Sequence, residues 1–206
     1  MATSIQILLA LTVLAVAPAI LLLMTSYLRI AVVLGFLQNA LAVGSALPNL
    51  VLSGLSLFLT GIVMAPVLHQ IYVGAYLPME HGRIGLNAAL AAAEGPLRTW
   101  MEAQVNPKDV LLFEQLRHLA PMPMAKVPFF VLVPGFVISQ LTEAFRMAVM
   151  IYAPFVVVDL AVQSILLAAG MMMLPPTLIS LPIKLLLFLA AGGWPVVVGG
   201  LVKSFH

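Results

Sequence analysis

Cysteine is absent from this chain of 206 residues. Its absence excludes disulfide bonds, thiolate metal sites and cysteine nucleophiles. Any covalent or metal chemistry would have to come from other side chains.

Charged side chains are scarce as well. They make up 8% of the chain, against roughly 25% in soluble domains, while 63% of it is hydrophobic and the mean hydropathy is +1.16. One compact core of this size cannot hide so much apolar surface, so lipid or partner subunits must cover the rest. Nine basic and seven acidic residues leave a net charge of only +2, and we expect no nucleic-acid partner.

Patterns that hold metals or nucleotides are missing too. The chain has neither H-E-x-x-H nor G-x-x-x-x-G-K-[ST]. Its histidines lack metal-ligand spacing; they are His69, His81, His118 and His206. We expect no metal and no cofactor.

Two arrangements superficially resemble those of intramembrane proteases. Gly54-Leu55-Ser56-Leu57 would suit a serine nucleophile, but the fifth position is Phe58 rather than glycine. An aspartate pair would need a second buried carboxyl beside Asp159, and Asp109 lies in polar sequence. The sequence therefore predicts a protein that is not an enzyme.

The charged residues that do occur divide the chain into three parts. Ten of them lie between Glu80 and Lys126. We predict N-terminal apolar helices over residues 1–69, a polar helical segment over 70–127, and kinked apolar helices over 128–206. The fold class is thus an all-α membrane protein with a small polar middle segment.

The first part contains two apolar runs. Ile5–Leu37 is nearly all apolar, and Leu50–Leu68 has about the twenty residues that one bilayer crossing needs. Asn39–Asn49, with Gly44 and Pro48, reads as the turn between them.

The start of the first run could be mistaken for a secretory signal. Met1 to Gln6 carries no Lys or Arg, and the only small-x-small site, Ala15-Val16-Ala17, is followed directly by Pro18. We therefore predict a retained helix rather than a cleaved signal.

The middle part reads as two amphipathic helices, Leu86–Gln104 and Pro107–Leu119. Asn106 suits the N-cap of the second helix, and Pro107 suits its first position. One apolar stripe contains Val110, Phe113, Leu116 and Leu119. We interpret the charges of this part as a solvated face.

The last part begins with an apolar run, Val127–Leu174, that would be about 70 Å long as one helix, against a hydrocarbon core of about 30 Å. We expect it to fold back as a hairpin of kinked helices. The available breakers are Pro134, Gly135, Pro154 and the stretch Gly170 to Pro176. A final segment, Leu178–Val202, is broken by Pro182, Gly192-Gly193 and Pro195.

Four ionisable residues lie deep in apolar sequence: Glu143, Arg146, Asp159 and Lys184. Each would cost a few kcal/mol facing lipid, so each needs a partner or a polar cavity. Glu143 and Arg146 are three apart and can pair on one helix. Asp159 and Lys184 have no local partner, which leaves a structural ion pair, a proton or ion relay, or a clamp between subunits.

The run Met171-Met172-Met173 is the most unusual local feature. Methionine is flexible and can seal irregular shapes. Gly170 on one side and Pro175-Pro176 on the other should keep the run off a regular helix, at a bend that protein or a cavity must cover. Ordinary core filling at a helix end is the alternative.

Several stretches together resemble the FliP family of flagellar export-gate proteins, which has counterparts in virulence type III secretion. The matching stretches are Met24-Thr25-Ser26-Tyr27-Leu28-Arg29-Ile30, Asn39-Ala40-Leu41, Pro48-Asn49, Val51-Leu52-Ser53-Gly54-Leu55, Met64-Ala65-Pro66-Val67, Ile71-Tyr72, Ala75-Tyr76, Pro154-Phe155-Val156-Val157-Val158-Asp159-Leu160, Gly170 to Pro176, Leu181-Pro182-Ile183-Lys184-Leu185 and Gly193-Trp194. They occur in order over nearly the whole chain.

The resemblance implies a subunit of the flagellar type III export gate in the bacterial inner membrane. Five copies would stack with FliQ, FliR and an FlhB-type subunit into a ring-like helical oligomer around a closed channel for unfolded flagellar proteins. The assembled gate would extend to the periplasmic side, with Met171, Met172 and Met173 as its gasket. A small-solute or proton transporter using Asp159 and Lys184 is the alternative function.

The chain departs from the family pattern at three places. Gln38 stands where the family usually has Arg, and Gly192 where it often has a carboxylate. Gln140-Leu141-Thr142 replaces a Glu-Leu-Lys pattern, with the charged pair displaced to Glu143 and Arg146.

Overall fold

The structure is a computed structural model that describes residue 15 and residues 18–20, 22–44, 46–171 and 173–205. Among these residues there are helices and no strand. The α-helices are α1 (Tyr27–Ala40), α2 (Asn49–Ile71), α3 (Leu77–Glu80), α4 (Leu86–Gln104), α5 (Pro107–Leu116), α6 (Phe129–Ala168), α7 (Thr177–Ala190) and α8 (Gly193–Lys203). A π-helix, Tyr72–Tyr76, joins α2 to α3, and a 3-10 turn, Met124–Lys126, precedes α6.

Two helical runs in the described part of the chain are long and apolar enough to cross a membrane, Asn49–Glu80 and Phe129–Ala168. A third crossing is possible if α7 and α8, bent by 63° at their junction, form one broken span. The prediction of an all-α chain with helices that can span a membrane is confirmed. Most of the predicted N-terminal helix, and with it the choice between a retained helix and a cleaved signal, lies outside the described residues.

Contacts divide the chain into two compact units. The first holds Met1–Leu28 and Thr60–Gln140, and the second holds Arg29–Leu59 and Leu141–His206. All three boundaries fall inside helices, after Leu28 in α1, after Leu59 in α2 and after Gln140 in α6, so each of these helices contributes residues to both units. The division into three parts at residues 69 and 127 rests on composition and stays a prediction.

The first unit has a hydrophobic core made by α4, α5 and the beginning of α6. Its buried members are Met24, Met101, Val105, Val110, Val127, Val131, Leu132 and Phe136. The predicted bounds of α4 are confirmed, and so is the N-cap of α5, where the Asn106 side chain accepts a hydrogen bond from the Lys108 N–H at 3.0 Å. α5 ends at Leu116 rather than Leu119, because His118 adopts a left-handed φ of 53° that closes the helix.

Helix α6 is held against the connection between α4 and α5 by polar contacts. The Gln140 amide donates to the Gln104 carbonyl at 3.1 Å, and the Asn106 N–H donates to the Ser139 hydroxyl at 2.9 Å. A Cβ on Gly135 would lie 3.2 Å from the Cα of Val110. Glycine lets the two backbones approach closely here, and a larger residue would push Val110 away by a few tenths of an ångström.

The hairpin expected within Val127–Leu174 is wrong. α6 is one helix of 40 residues that contains Pro134 and Pro154. An interior proline removes one hydrogen bond and bends a helix at a cost of about 3 kcal/mol, which does not force the chain to reverse. A helix of this length also need not be covered by lipid along all of it, because Val131 and Leu132 near its start are buried in the core of the first unit.

The second unit ends with the pair α7 and α8. They separate at Gly192 and Gly193, whose φ values of +96° and +51° lie in the left-handed region that glycine adopts freely, so the break predicted there is confirmed. Pro182 lies inside α7 and does not break it. As in α6, the loss of one backbone hydrogen bond is local.

Candidate functional sites: a methionine loop and a buried ion pair

The methionine run follows a well-defined helix end. Gly170, with a φ of +71°, donates to the Leu167 carbonyl at 3.1 Å, and Met171 donates to the Leu166 carbonyl at 3.0 Å. These two bonds form a Schellman motif, in which a left-handed glycine ends the helix and fixes the direction of the next residue. After Pro175 and Pro176 the chain turns directly into α7.

The methionine loop comprises residues 171–174, and its described side chains are partly or fully exposed. Met171 is 49% exposed and Met173 is 99% exposed, and Leu174 is partly exposed. Met172 lies outside the described residues. With no acid, base or nucleophile of its own, the loop presents flexible apolar side chains suited to sealing a gap.

Asp159 on α6 and Lys184 on α7 are brought together. The Lys184 ammonium lies 2.6 Å from a carboxylate oxygen of Asp159 and donates a second bond to the Ala40 carbonyl at 3.0 Å. The side chain of Lys184 is 4% exposed and that of Asp159 is 39% exposed. Because Ala40 is the last residue of α1, one buried cation joins three helices of the second unit and caps a helix C-terminus.

Glu143 and Arg146 form the local pair that their spacing predicts. Arg146 donates to Glu143 at 3.1 Å along one face of α6, with side-chain exposures of 68% for Arg146 and 41% for Glu143. In the isolated chain this pair is a surface ion pair, and such pairs contribute about 0–1 kcal/mol.

Arg29 is a buried charge that sequence reasoning did not single out. Its guanidinium donates to the carbonyl and hydroxyl oxygens of Ser204 at 2.8 and 3.1 Å and lies 4.0 Å from the centre of the Phe205 ring. Arg29 thus ties the start of α1 to the residues just after α8. A signal was present, because Arg29 is the only Lys or Arg before Arg83.

Glu114 is a second buried charge that the sequence did not indicate. The sequence pattern groups Glu114 with the charges of a solvated face. Its side chain instead lies on the same side of α5 as Val110 and is almost fully buried. Among the described residues, its Oε1 atom has no hydrogen-bond partner. The interpretation as a solvated face is wrong for this residue, and no local pattern distinguishes it from the other carboxylates.

Two observations on the described residues bear on whether the chain has a reaction centre. Within the part of the chain that the structure describes, no three His, Asp or Glu side chains are grouped as metal ligands. A cavity of about 390 Å³ in the second unit has an apolar and aromatic lining: Phe36, Ala148, Val149, Tyr152, Ala153 and Val156. A small-molecule site would need convergent polar groups in such a lining.

Comparison with known proteins gives one family. The model of the FliP family matches residues 10–201, which is nearly the whole chain. The chain belongs to the FliP family. The part of the chain matched by the FliP model includes Asp159, Lys184 and the methionine loop, and it ends just before Ser204.

Relatives from distant bacteria agree with this assignment. The chain is 45% identical to a flagellar biosynthetic protein FliP of Pectobacterium carotovorum subsp. carotovorum, over 98% of this chain and 79% of the relative. It is 43% identical to the protein of the same name from Bacillus subtilis (strain 168), over 98% and 92% of the two chains. The FliP of Treponema denticola is 42% identical over 99% of this chain and 76% of its own.

Proposed function

We propose that this chain is a core subunit of the flagellar type III protein export gate, where it helps to form a closed channel for flagellar proteins. The observation that carries the proposal is membership of the FliP family over residues 10–201, among relatives named flagellar biosynthetic proteins. The chain performs no chemistry of its own, and the channel opens for unfolded substrates.

The assembly we propose is a ring-like stack of five copies with FliQ, FliR and an FlhB-type subunit. It lies in the bacterial inner membrane and extends to the periplasmic side, with the polar segment 70–127 in the periplasm. Exposed apolar side chains on α6, such as Val149, Val157 and Leu160, support an assembled state, because a single copy leaves them uncovered. Partner subunits and lipid would share that surface.

The gasket of the channel is the run Met171 to Met173. Support comes from its position on a short loop between a Schellman motif and two prolines, with Met173 almost fully exposed. A loop fixed at both ends can hold flexible side chains at one level of a channel. Methionines from several copies would then fill the opening without packing into a rigid plug.

Asp159 and Lys184 hold the helices that carry this loop. Asp159 lies on the helix before the methionines and Lys184 on the helix after them, so their 2.6 Å contact ties the two sides of the loop together. The pair Glu143 and Arg146 contacts a neighbouring subunit in the proposed assembly, and its exposure in the single chain supports this role.

The test replaces Met171, Met172 and Met173 together with alanine in the assembled complex. Each substitution removes most of an apolar side chain, so we expect the complex to form and the leak of ions or small solutes through vesicles to rise several-fold. The matched control is Met150→Ala, which removes an exposed methionine from α6 outside the loop and should leave the leak unchanged.

A correctly assembled triple variant with an unchanged leak would overturn the gasket role. A leak that rises equally in Met150→Ala would also count against it, because the effect would then follow any loss of methionine. Detergent-extracted particles of monomer size would contradict membership of a multi-subunit gate.

A further inference from the structure

Sulfur chemistry in this chain belongs to methionine alone. The chain has twelve methionines and no cysteine, so a two-electron oxidant can react with thioethers but finds no thiol to oxidise. Exposure differs sharply among these thioethers. Met24, Met64 and Met101 are buried, whereas Met173 is 99% exposed.

The loop geometry keeps the exposed thioethers in place. Met171 is fixed through its N–H to the Leu166 carbonyl, and Leu174 donates back to the Met171 carbonyl at 3.4 Å. Pro175 and Pro176 come directly before the next helix, with Pro176 as its N-cap residue. The side chain of Met173 is therefore held on a short turn, and the described residues leave it 99% exposed.

We propose that Met173 is a site of reversible oxidation to methionine sulfoxide by peroxides. In the reaction with hydrogen peroxide, the thioether sulfur forms a bond to one peroxide oxygen while the O–O bond breaks. Sulfur loses two electrons, and the departing hydroxide takes the proton of the transferred oxygen and leaves as water. Methionine sulfoxide reductases reverse the change.

The consequence for the channel rests on the gasket role proposed above. Sulfoxide formation converts a flexible apolar side chain into a polar one, which disrupts methionine-rich contacts. An oxidised loop would attract water where the reduced loop excludes it. Peroxide would then loosen the closed gate, and reduction would restore it.

The first experiment treats the assembled complex with hydrogen peroxide and follows each methionine by peptide mass spectrometry. Because oxidation follows exposure, we expect Met173 to react at least about tenfold faster than Met64 and Met101, with Met150 and Met171, which are 63% and 49% exposed, in between. The buried methionines of the same chain serve as internal controls. Equal rates for Met173 and Met101 would overturn the modification site, whatever the loop does in the channel.

The second experiment measures ion leak from vesicles before and after peroxide, and again after a methionine sulfoxide reductase. Wild-type complexes should leak several-fold more after peroxide and recover after reduction. A variant with Met171, Met172 and Met173 all changed to leucine offers no thioether in the loop, so its leak should not respond. Met150→Leu should respond like wild type.

The two experiments separate the two ideas. Rapid oxidation of Met173 without any change in leak would leave the modification site standing and overturn its link to the gate. A peroxide response that persists in the leucine variant would place the sensitive group elsewhere and overturn that link as well.

Discussion

Among the described residues of the second unit, two ion pairs of the same chemical kind lie in opposite surroundings. Lys184 and Asp159 join α7 to α6 across 25 positions of sequence, and the lysine is 4% exposed. Arg146 and Glu143 lie three residues apart on α6, and the arginine is 68% exposed. The sequence predicts the second pair from its spacing, whereas for Asp159 and Lys184 it leaves a structural ion pair, a relay and a clamp between subunits open.

From this difference we expect burial, more than separation along the sequence, to set the cost of breaking an ion pair. Removing one partner of a buried pair leaves an uncompensated group and costs about 3–5 kcal/mol, while an exposed pair contributes about 0–1 kcal/mol. Lys184 also donates a hydrogen bond to the Ala40 carbonyl at the end of α1, so removing the lysine affects a third helix. Three substitutions can test this ranking.

The largest effect is expected for Lys184→Met. The substitution keeps an apolar stem but leaves Asp159 and the Ala40 carbonyl without their donor, and we expect a loss of about 3–5 kcal/mol in unfolding free energy. Denaturation of the detergent-solubilised chain would measure it. Lys203→Met, an exposed lysine at the end of α8, is the control. If Lys184→Met lowers the unfolding free energy no more than Lys203→Met does, the contacts of Lys184 do not stabilise the fold.

Asp159→Asn should have an intermediate effect of about 1–3 kcal/mol. An asparagine carbonyl can still accept a bond from Lys184, and the half-exposed site leaves room for water, so the loss should stay below that of Lys184→Met. The measurement is the same denaturation curve together with the size of the extracted complex. Full stability and an intact oligomer combined with abolished function would instead favour a proton or ion relay at this pair.

Arg146→Gln should have the smallest effect, below about 1 kcal/mol on the unfolding of the isolated chain. High salt should remove what effect there is, because salt screens exposed charges. Arg146→Gln should act mainly on the assembly if Glu143 and Arg146 contact a neighbouring subunit. Comparing denaturation of the single chain with the yield of the assembled complex would separate the two roles. A loss as large as that of Lys184→Met would remove the distinction between the pairs.

Local signals in the sequence predicted several elements correctly. Asn106 followed by Pro107 marked the start of α5, because an N-cap side chain and a proline act on the residues next to them. Gly192-Gly193 marked the break between α7 and α8 for the same reason, since glycine alone adopts those φ values freely. The segment from Gly170 to Pro176 was correctly placed between two helices.

Signals that depend on distant residues led to errors. The prolines of α6 suggested a hairpin, but the helix continues through both of them, and its beginning is covered by α4 and α5. No local pattern indicates a role for Arg29, because its partners, Ser204 and Phe205, lie at the other end of the chain. Glu114 looked like its solvated neighbours, although it is buried.

The sequence by itself determined that the chain is helical, that it is too apolar to be covered by water, and where glycine and proline end its helices. Those properties follow from composition and from residues close to one another along the chain. Only the tertiary structure decided that Lys184 meets Asp159 and Ala40, that α6 runs unbroken, and that Met173 stands uncovered. Burial and long-range contact depend on how distant segments pack, and no local pattern encodes that packing.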